Sequence, residues 1–222
     1  MVGLLVLVMM KPPQASDVGN HVLRLNLQAG QEFTVSLKVD RDNPKTSGEI
    51  REAIRVLRNK GRATTLQCSL VGMTLDGKDR STDLSRMLTN PSVTFSWTDQ
   101  AQRTGEMTVL EFGTPQADLM PLLEEAGLYL CEFPTRPVGV GDSWRGSTTA
   151  TGGCTSATYT LKSIEQDVAE IEVTNIRFLI PVEPIGPMRM TVDLKSGLPT
   201  RVEYRVKGQQ TGRVSRYVQT IG

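Results

Sequence analysis

Apolar and polar residues alternate along most of the chain after residue 20. Residues 21–27 carry leucine at positions 23, 25 and 27, and residues 32–39 alternate in the same way after a short glycine-bearing turn. Alternation with a period of two is typical of a strand that buries one face. These two segments are therefore predicted to pair as an antiparallel hairpin.

Residues 49–61 show a different spacing. Ile50, Ile54 and Leu57 follow the i, i+4, i+7 pattern of a helix with one apolar face. A looser alternation that ends at Val56 leaves a strand open as the alternative. The helix is the preferred interpretation.

A second helix is predicted for residues 116–126, which follow Pro115 and end before a glycine. Proline is favoured at the first position of a helix, whereas Pro121 is expected to kink it. A short helical turn is expected over residues 83–88.

The rest of the chain has the pattern of strands separated by turns. About ten strands with one or two packed helices predict an α+β fold that is mainly antiparallel β, arranged as a curved sheet or half-barrel. Because no linker is long or biased enough to mark a boundary, residues 16–222 are predicted to form a single domain. The further strands are expected at residues 64–75, 93–97, 107–112, 143–149, 156–164, 169–178, 188–194, 200–207 and 213–219.

The first fifteen residues form a separate segment. Residues 2–10 are an unbroken apolar run, which is too short to span a bilayer as a helix. The run fits the apolar part of a secretory signal, with the small residue Ala15 at a candidate cleavage point. No Lys or Arg precedes the run, however, and a buried first strand of an intracellular protein is the alternative. Residues 1–15 are predicted to be a signal peptide, which implies a periplasmic or secreted protein, with the cytoplasm as the alternative location.

The overall charge of the chain excludes one class of partner. The chain has 25 Lys and Arg against 24 Asp and Glu, a net charge of +1, so no overall field favours a nucleic acid. Arg51, Arg55 and Arg58 form a basic row without the interleaved aromatic residues that stack on bases. The row is interpreted as a solvated face, with contact to lipid headgroups or an acidic partner as the weaker alternative. No nucleic-acid partner and no transmembrane span are predicted.

The chain has only three cysteines and one histidine. Their spacing is not that of zinc ligands, so no metal site and no cofactor is predicted. Cys131 and Cys154 bracket a loop, a strand and a turn, and a disulfide between them is geometrically allowed. Three buried thiols, Cys68 included, are the preferred interpretation.

Three phrases of the chain resemble segments of a known family. They are LRLNLQAGQEFTVSL (residues 23–37), FPTRPVGVGDSW (residues 133–144) and VDLKSGLPTRVEY (residues 192–204). In this order they are similar to phrases of an uncharacterised family of bacterial envelope proteins. The resemblance implies an exported β-rich domain, with a curved open sheet like that of periplasmic lipoprotein carriers. It implies no catalytic residues.

The middle phrase also has a physical interpretation. Its prolines stiffen an extended approach, its glycines allow tight backbone paths, and its tryptophan anchors the start of a strand. Its aspartate is expected to bond backbone amides two residues further on. A structural role is therefore predicted for Pro134, Pro137, Gly139, Gly141, Asp142 and Trp144.

Catalytic arrangements are weak in this sequence. The triplet at residues 141–143, GDS, resembles the signature of one esterase family, but a nucleophilic serine needs a base such as histidine. His21, the single histidine, precedes the triplet, whereas those esterases carry their histidine near the chain end. Carboxylate pairs at positions 76/79 and 124/125 lack the spacing of a calcium loop or of a shared helix face. No catalytic residue is predicted, and the protein is expected not to be an enzyme.

Surplus apolar residues are the most suggestive functional feature. A proline-rich apolar loop and a leucine-rich helix beside a curved sheet could line a ligand cavity, although ordinary core packing explains them as well. The leading hypothesis is a non-enzymatic envelope protein that binds or carries an apolar small molecule or lipid. The alternative is a structural or interaction module that binds an envelope protein partner, and a hydrolase comes third. The candidate lining residues are Leu119, Leu122, Leu123, Phe178, Ile180 and Met188.

Overall fold

Alternating burial along the strands gives the chain one large antiparallel sheet. The computed structural model describes residues 20–104, 111–113, 116, 119, 131–148, 154–178 and 181–222. Within these residues the structure is mainly strand with one short helix, which confirms the predicted fold class. The predicted signal segment and most of the predicted helix at residues 116–126 lie outside the described residues.

The elements are numbered in chain order. They are β1 (Glu32–Asp42), β2 (Lys45–Lys60), β3 (Ala63–Leu75), β4 (Lys78–Asp79), α1 (Ser81–Met87), β5 (Leu88–Asn90), β6 (Ser92–Thr98), β7 (Arg103–Thr104), β8 (Glu111–Phe112), β9 (Ser143–Thr148), β10 (Cys154–Glu165), β11 (Val168–Phe178), β12 (Val182–Pro184), β13 (Met188–Asp193), β14 (Pro199–Gly208) and β15 (Val214–Ile221).

The main sheet is open in its strand order, which runs β7-β6-β3-β2-β1-β15-β14-β13-β11-β10-β9. Two short strands lie off this path, because β4 pairs with β3 and β12 pairs with β14, and β5 and β8 form a small sheet of their own. Strands β1 and β15 are neighbours in the middle, where Val35 lies opposite Ile221 and Arg41 opposite Ser215. The sheet therefore consists of two blocks of strands that are joined along the β1–β15 ladder.

The preferred helix at residues 49–61 is wrong, because this segment belongs to β2. Burial alternates strictly from Gly48 to Val56, and Ile54 is paired with Phe33 on one side and Cys68 on the other. Leu57, which a helix would bury, is 44% exposed. Two neighbouring ladders outweigh a local spacing that fits either element, because tertiary pairing overrides weak helix propensity.

The predicted hairpin of residues 21–27 with residues 32–39 is also wrong. Leu23, Leu25 and Leu27 are buried at alternate positions as expected, but β1 pairs with β2 and β15 instead. The amide of Leu25 donates to Asp99 O at 2.7 Å, and the amide of Asn26 donates to Ser196 O at 2.8 Å. The alternation of apolar and polar residues determines which side chains face inward, but it does not determine which strand a segment pairs with.

The short helix α1 agrees with the predicted helical turn over residues 83–88, although it begins two residues earlier. It buries Leu84 and Met87 and ends where β5 begins. In the part of the chain that the structure describes, no helix is long and apolar enough to cross a membrane.

Buried apolar side chains form two clusters on the inner face of the sheet. The first cluster consists of Leu23, Leu25, Leu27, Val35, Ile54, Val56, Leu66, Cys68, Phe95, Trp97, Ala101, Cys131, Phe133, Val138, Ala157, Tyr159, Leu161, Ala169, Ile171, Val173, Ile176, Met188, Met190, Val192, Leu198 and Val202. The second cluster consists of Leu37, Val39, Ile50, Leu70, Met73, Leu84, Met87, Leu88, Leu119, Val206 and Tyr217. Phe178 and Tyr204 are half-buried and pack against both clusters.

Candidate functional site

Residues 131–142 cross from one side of the sheet to the other. The amide of Phe133 donates to Gln100 O at 2.8 Å, just beyond β6, and the amide of Glu132 donates to Ser147 O in β9 at 3.1 Å. The crossing segment, as we call residues 131–142, thus links the two ends of the strand order. It bridges a sheet whose end strands are not paired with each other in the described residues.

The Glu132 side chain strengthens this bridge. Its carboxylate accepts hydrogen bonds from the Ser147 amide at 3.0 Å and the Ser147 hydroxyl at 3.2 Å, and from the Gln102 side chain on the opposite side. Gly146 permits the close approach, because a Cβ placed there would lie 2.9 Å from Glu132 Cβ. Sequence reasoning missed Glu132, which lies just before the conspicuous phrase at residues 133–144.

Trp144 and Gly141 occupy positions that suit the structural role predicted for the phrase. The Trp144 ring stacks on Tyr159 with centroids 5.6 Å apart, and its Nε1 donates to Glu132 O at 2.9 Å. Gly141 has a φ of +94°, which favours glycine.

Asp142 acts differently from the expectation, since its carboxylate accepts from the Gly139 amide, three residues earlier, at 2.9 Å. The Asp142 amide in turn donates to Gly139 O at 3.0 Å, so the two residues close a tight turn. Pro134 is half-buried and Pro137 is exposed in the same segment.

The first and third of the phrases that carry the resemblance are in direct contact, and the second reaches the first through His21, two residues before its start. His21 forms an isolated bridge with Val138, with N···O distances of 2.8 and 2.9 Å, and Asn26 bonds Ser196 in the β13–β14 turn. Gly197 in that turn lies directly against the backbone of Arg24. The residues just before β1, the crossing segment and the β13–β14 turn therefore form one joint.

The predicted lining residues fall into different parts of the interior. Leu119 is fully buried in the second cluster, Met188 is fully buried in the first, and Phe178 contacts both. Leu122, Leu123 and Ile180 lie outside the described residues. The structure thus separates Leu119 from Met188 and places Phe178 between their clusters.

A row of groups follows the line between the two clusters, and we call it the boundary row. It begins with Phe178 and Tyr204, whose rings are 6.5 Å apart, and Tyr204 stacks on Tyr217 at 4.6 Å. It continues through Gln219 in β15 and Glu52 in β2. The boundary row consists of Phe178, Tyr204, Tyr217, Gln219, Glu52 and Cys68.

The polar members of the boundary row are buried among apolar neighbours. Glu52 is 2% exposed and lies between Ile50 of the second cluster and Ile54 of the first. Gln219 is 1% exposed. The sequence reasoning missed both, because Glu52 fell within the predicted helix and one polar residue in an apolar alternation gave no separate signal.

Cys68 donates its thiol proton to Glu52 Oε2, with Sγ 3.0 Å from that oxygen. Burial, together with the neighbouring carboxylate, raises the pKa of the Cys68 thiol. Burial also raises the pKa of the Cys131 thiol. Both cysteines are free and buried, as preferred from the sequence, whereas the side chain of Cys154 lies outside the described residues.

The other polar candidates from the sequence have structural partners. The Ser143 hydroxyl pairs with Thr160 Oγ1 at 2.8 Å, and Asp79 accepts hydrogen bonds from the amide and hydroxyl of Ser81. Arg51 and Arg55 point outward from β2 and are exposed. In the described ranges no group of three or more His, Cys, Asp and Glu side chains is placed to hold a metal ion.

Comparison with known proteins assigns no family. No family model matches the chain, and no curated protein matches it at a significant level.

Proposed function

We propose that the protein is a non-enzymatic binding protein that holds an apolar small molecule or lipid against the inner face of its sheet, at the boundary row. One observation carries this proposal. Apolar clusters on both sides of the row are separated by aromatic rings and a few buried polar groups. Ligand sites have this composition, since apolar walls supply binding energy and a few polar groups fix orientation.

Phe178 and Tyr204 are the entry side of the proposed site. Both are half-buried, whereas Glu52 and Gln219 are almost completely buried. An apolar chain that enters beside the two rings would extend along the row towards these polar groups.

The resemblance to exported envelope proteins supports a location in the periplasm or outside the cell. Carriage of an apolar molecule is useful there, because such molecules must cross an aqueous space. The sheet also has the open strand order that the resemblance implies.

The alternative, a module that binds a protein partner through strand edges, has less support. The edge of β9 is engaged by Glu132, and β12 covers part of β14. The outer face carries mixed charges, including Glu203, which accepts from Arg201 at 3.0 Å and Arg216 at 2.6 Å. Arg216 reaches Glu203 from the neighbouring strand β15, and such charge pairs suit a sheet face in water.

Native mass spectrometry of protein purified without detergent from its own host tests the proposal directly. We expect a discrete adduct that is absent after denaturation and that extracts into organic solvent. A preparation that carries no such adduct, and that also fails to bind a fluorescent fatty acid such as 11-dansylaminoundecanoic acid, contradicts it.

A matched pair of variants places the probe at the boundary row. Tyr204→Glu introduces a charge into the row, and Arg205→Glu introduces the same residue one position later, on the outer face of β14. We expect Tyr204→Glu to weaken binding of the dansyl fatty acid by about tenfold or more, because a charge is placed in an apolar contact. Arg205→Glu should leave binding unchanged, and equal effects of the two substitutions would place the probe elsewhere.

A further inference from the structure

A cleft of about 650 Å³ lies on the outer face of the sheet, across β9, β10 and β11. Trp144 and Tyr159 face the core, so the adjacent Arg145 and Thr158 project to the opposite face. The cleft is therefore separate from the boundary row and independent of the proposed function. Its polar lining residues are Arg145, Ser156, Thr158, Asn175 and Arg177.

The cleft differs from its neighbours in charge. It is lined by two arginines, two hydroxyls and one amide, with no carboxylate among its lining residues. Two other outer-face clefts both include the carboxylate of Glu203. Arg145 forms no ion pair with any described residue, whereas Arg201 and Arg216 are both paired with Glu203. The guanidinium of Arg145 is thus available to an external anion.

The backbone around the cleft is irregular. The β10–β11 register shifts between Cys154 and Ser156 and again between Ser156 and Thr158. Asn175 has a φ of +51° and donates its side-chain amide to Thr158 Oγ1 at 3.4 Å. Bulges leave ladder groups unpaired and re-aim side chains, and non-glycine residues at positive φ are concentrated at functional sites. The irregular backbone of β10 and β11 therefore brings the polar side chains of the cleft together.

The two arginines flank β10 from both sides. Arg145 lies opposite Thr158 and Arg177 lies opposite Ser156. Strands lie about 4.8 Å apart, so the two backbones are separated by about 10 Å across the sheet. Arginine side chains are long enough to reach a group of a few ångströms held above Ser156 and Thr158.

We propose that this cleft binds a phosphate group, carried by a soluble phosphate ester or by a phospholipid headgroup. Guanidinium groups bind phosphate oxygens with paired, charge-assisted hydrogen bonds. The hydroxyl of Thr158, which accepts from the Asn175 side chain, and the second N–H of that side chain supply further donors. The buried residues Ala157 and Ile176 complete the lining of the cleft.

Two binding experiments on the full chain test this site and show whether the phosphate group belongs to a soluble ester or to a phospholipid. Isothermal titration with glycerol 3-phosphate, at constant ionic strength and with glycerol as the blank, tests the soluble ester. Sedimentation with vesicles of phosphatidylcholine, with and without 30% phosphatidylglycerol, tests the headgroup. Saturable binding of glycerol 3-phosphate assigns the site to soluble esters, and binding to the anionic vesicles alone assigns it to a lipid surface.

The decisive variants are Arg145→Gln and Arg177→Gln, with Arg201→Gln as the matched control on the same face. We expect each of the first two to weaken phosphate binding by about tenfold or more, because each removes one charge-assisted contact. Arg145→Lys should recover only part of the affinity, because lysine keeps the charge but loses the paired geometry. Circular dichroism confirms that the variants are folded. The proposal is overturned if neither probe binds, or if binding survives both Arg145→Gln and Arg177→Gln as well as it survives Arg201→Gln.

Discussion

At the scale of single residues, Gly197 shows how one position holds the joint together. Its φ is +72°, and a Cβ built on it would lie 1.9 Å from the carbonyl oxygen of Arg24. The Gly197 amide also donates to Asp193 O at 2.7 Å. A side chain here would strain the turn and push residues before β1 away from it, because backbone atoms cannot give way as a flexible side chain can.

Gly197→Ala is therefore expected to lower the free energy of unfolding by about 3 kcal/mol, combining a positive φ with a backbone clash. Gly212→Ala is the matched control, since Gly212 has a φ of +66° and a Cβ added there would meet no atom within 4 Å. The control should cost only about 1 kcal/mol. Urea unfolding measures both, and equal losses would show that contact with Arg24 contributes nothing.

Asp193 stabilises the same turn through its charge. Its burial alone would raise the pKa of the carboxyl, but hydrogen bonds from the side chain and amide of Ser196 outweigh burial and lower it. Ser196 Oγ and N lie 2.5 and 3.0 Å from Asp193 Oδ2. The ionised carboxylate is thus the form that the turn binds.

A lowered pKa in the folded state gives stability that is present above the unfolded value of about 4 and is lost as the pH falls through the folded pKa. Asp193→Asn should therefore destabilise the protein at pH 7 and have a smaller effect at pH 3. Urea unfolding at the two pH values checks this. An effect of the same size at both would show that the charge of Asp193 is not what stabilises the turn.

At the scale of elements, β2 separates two interpretations of one sequence. As a helix, the segment would bury Leu57 beside Ile50 and Ile54, whereas the strand buries Val56 to 1% exposure and leaves Leu57 at 44%. Val56→Ala should cost about 2 kcal/mol, because it empties part of the first cluster. Leu57→Ala should change stability by less than about 0.5 kcal/mol. Thermal and urea unfolding of the two variants distinguish the strand from the helix. A larger loss of stability for Leu57→Ala than for Val56→Ala would contradict the strand.

The sequence predicted which side chains are buried better than it predicted strands and their partners, since residues 22–28 are buried at alternate positions without forming a strand. Leu23, Leu25 and Leu27 were correctly expected to be buried, because alternation reports the face of a segment. The backbone partners of this segment, Asp99 for Leu25 and Ser196 for Asn26, are far away in the sequence and leave no local trace. The helix α1 was expected from its local pattern, and local patterns suffice for short helical turns.

The candidate site was predictable only in its apolar part. Phe178 was expected beside a ligand and does lie between the two clusters, although its role stays a prediction. Glu52 and Gln219 fall on the same boundary row only because β2 and β15 both pair with β1. No spacing along the chain records that arrangement, since β2 and β15 are separated by more than 150 residues.

At the scale of the whole molecule, the β1–β15 ladder joins strands from distant parts of the chain. Seven residue pairs connect them, from Val35–Ile221 to Arg41–Ser215. Sheets held by such distant contacts fold slowly, because loop closure precedes the gain from pairing. The two blocks of strands are therefore expected to fold and unfold as one unit only when this ladder forms.

Val218 offers a direct test of this view, because it lies in the centre of β15, opposite both Lys38 and Glu203. Val218→Pro removes a backbone donor from a strand paired on both sides and should cost at least about 3 kcal/mol. Val218→Ala shortens the same half-buried side chain without touching the ladder and should cost about 1 kcal/mol or less. Hydrogen exchange measures the spread of the damage. If the ladder couples the two blocks, protection falls in β2 and β13 together, whereas loss confined to β15 would show that each block is stable without the other.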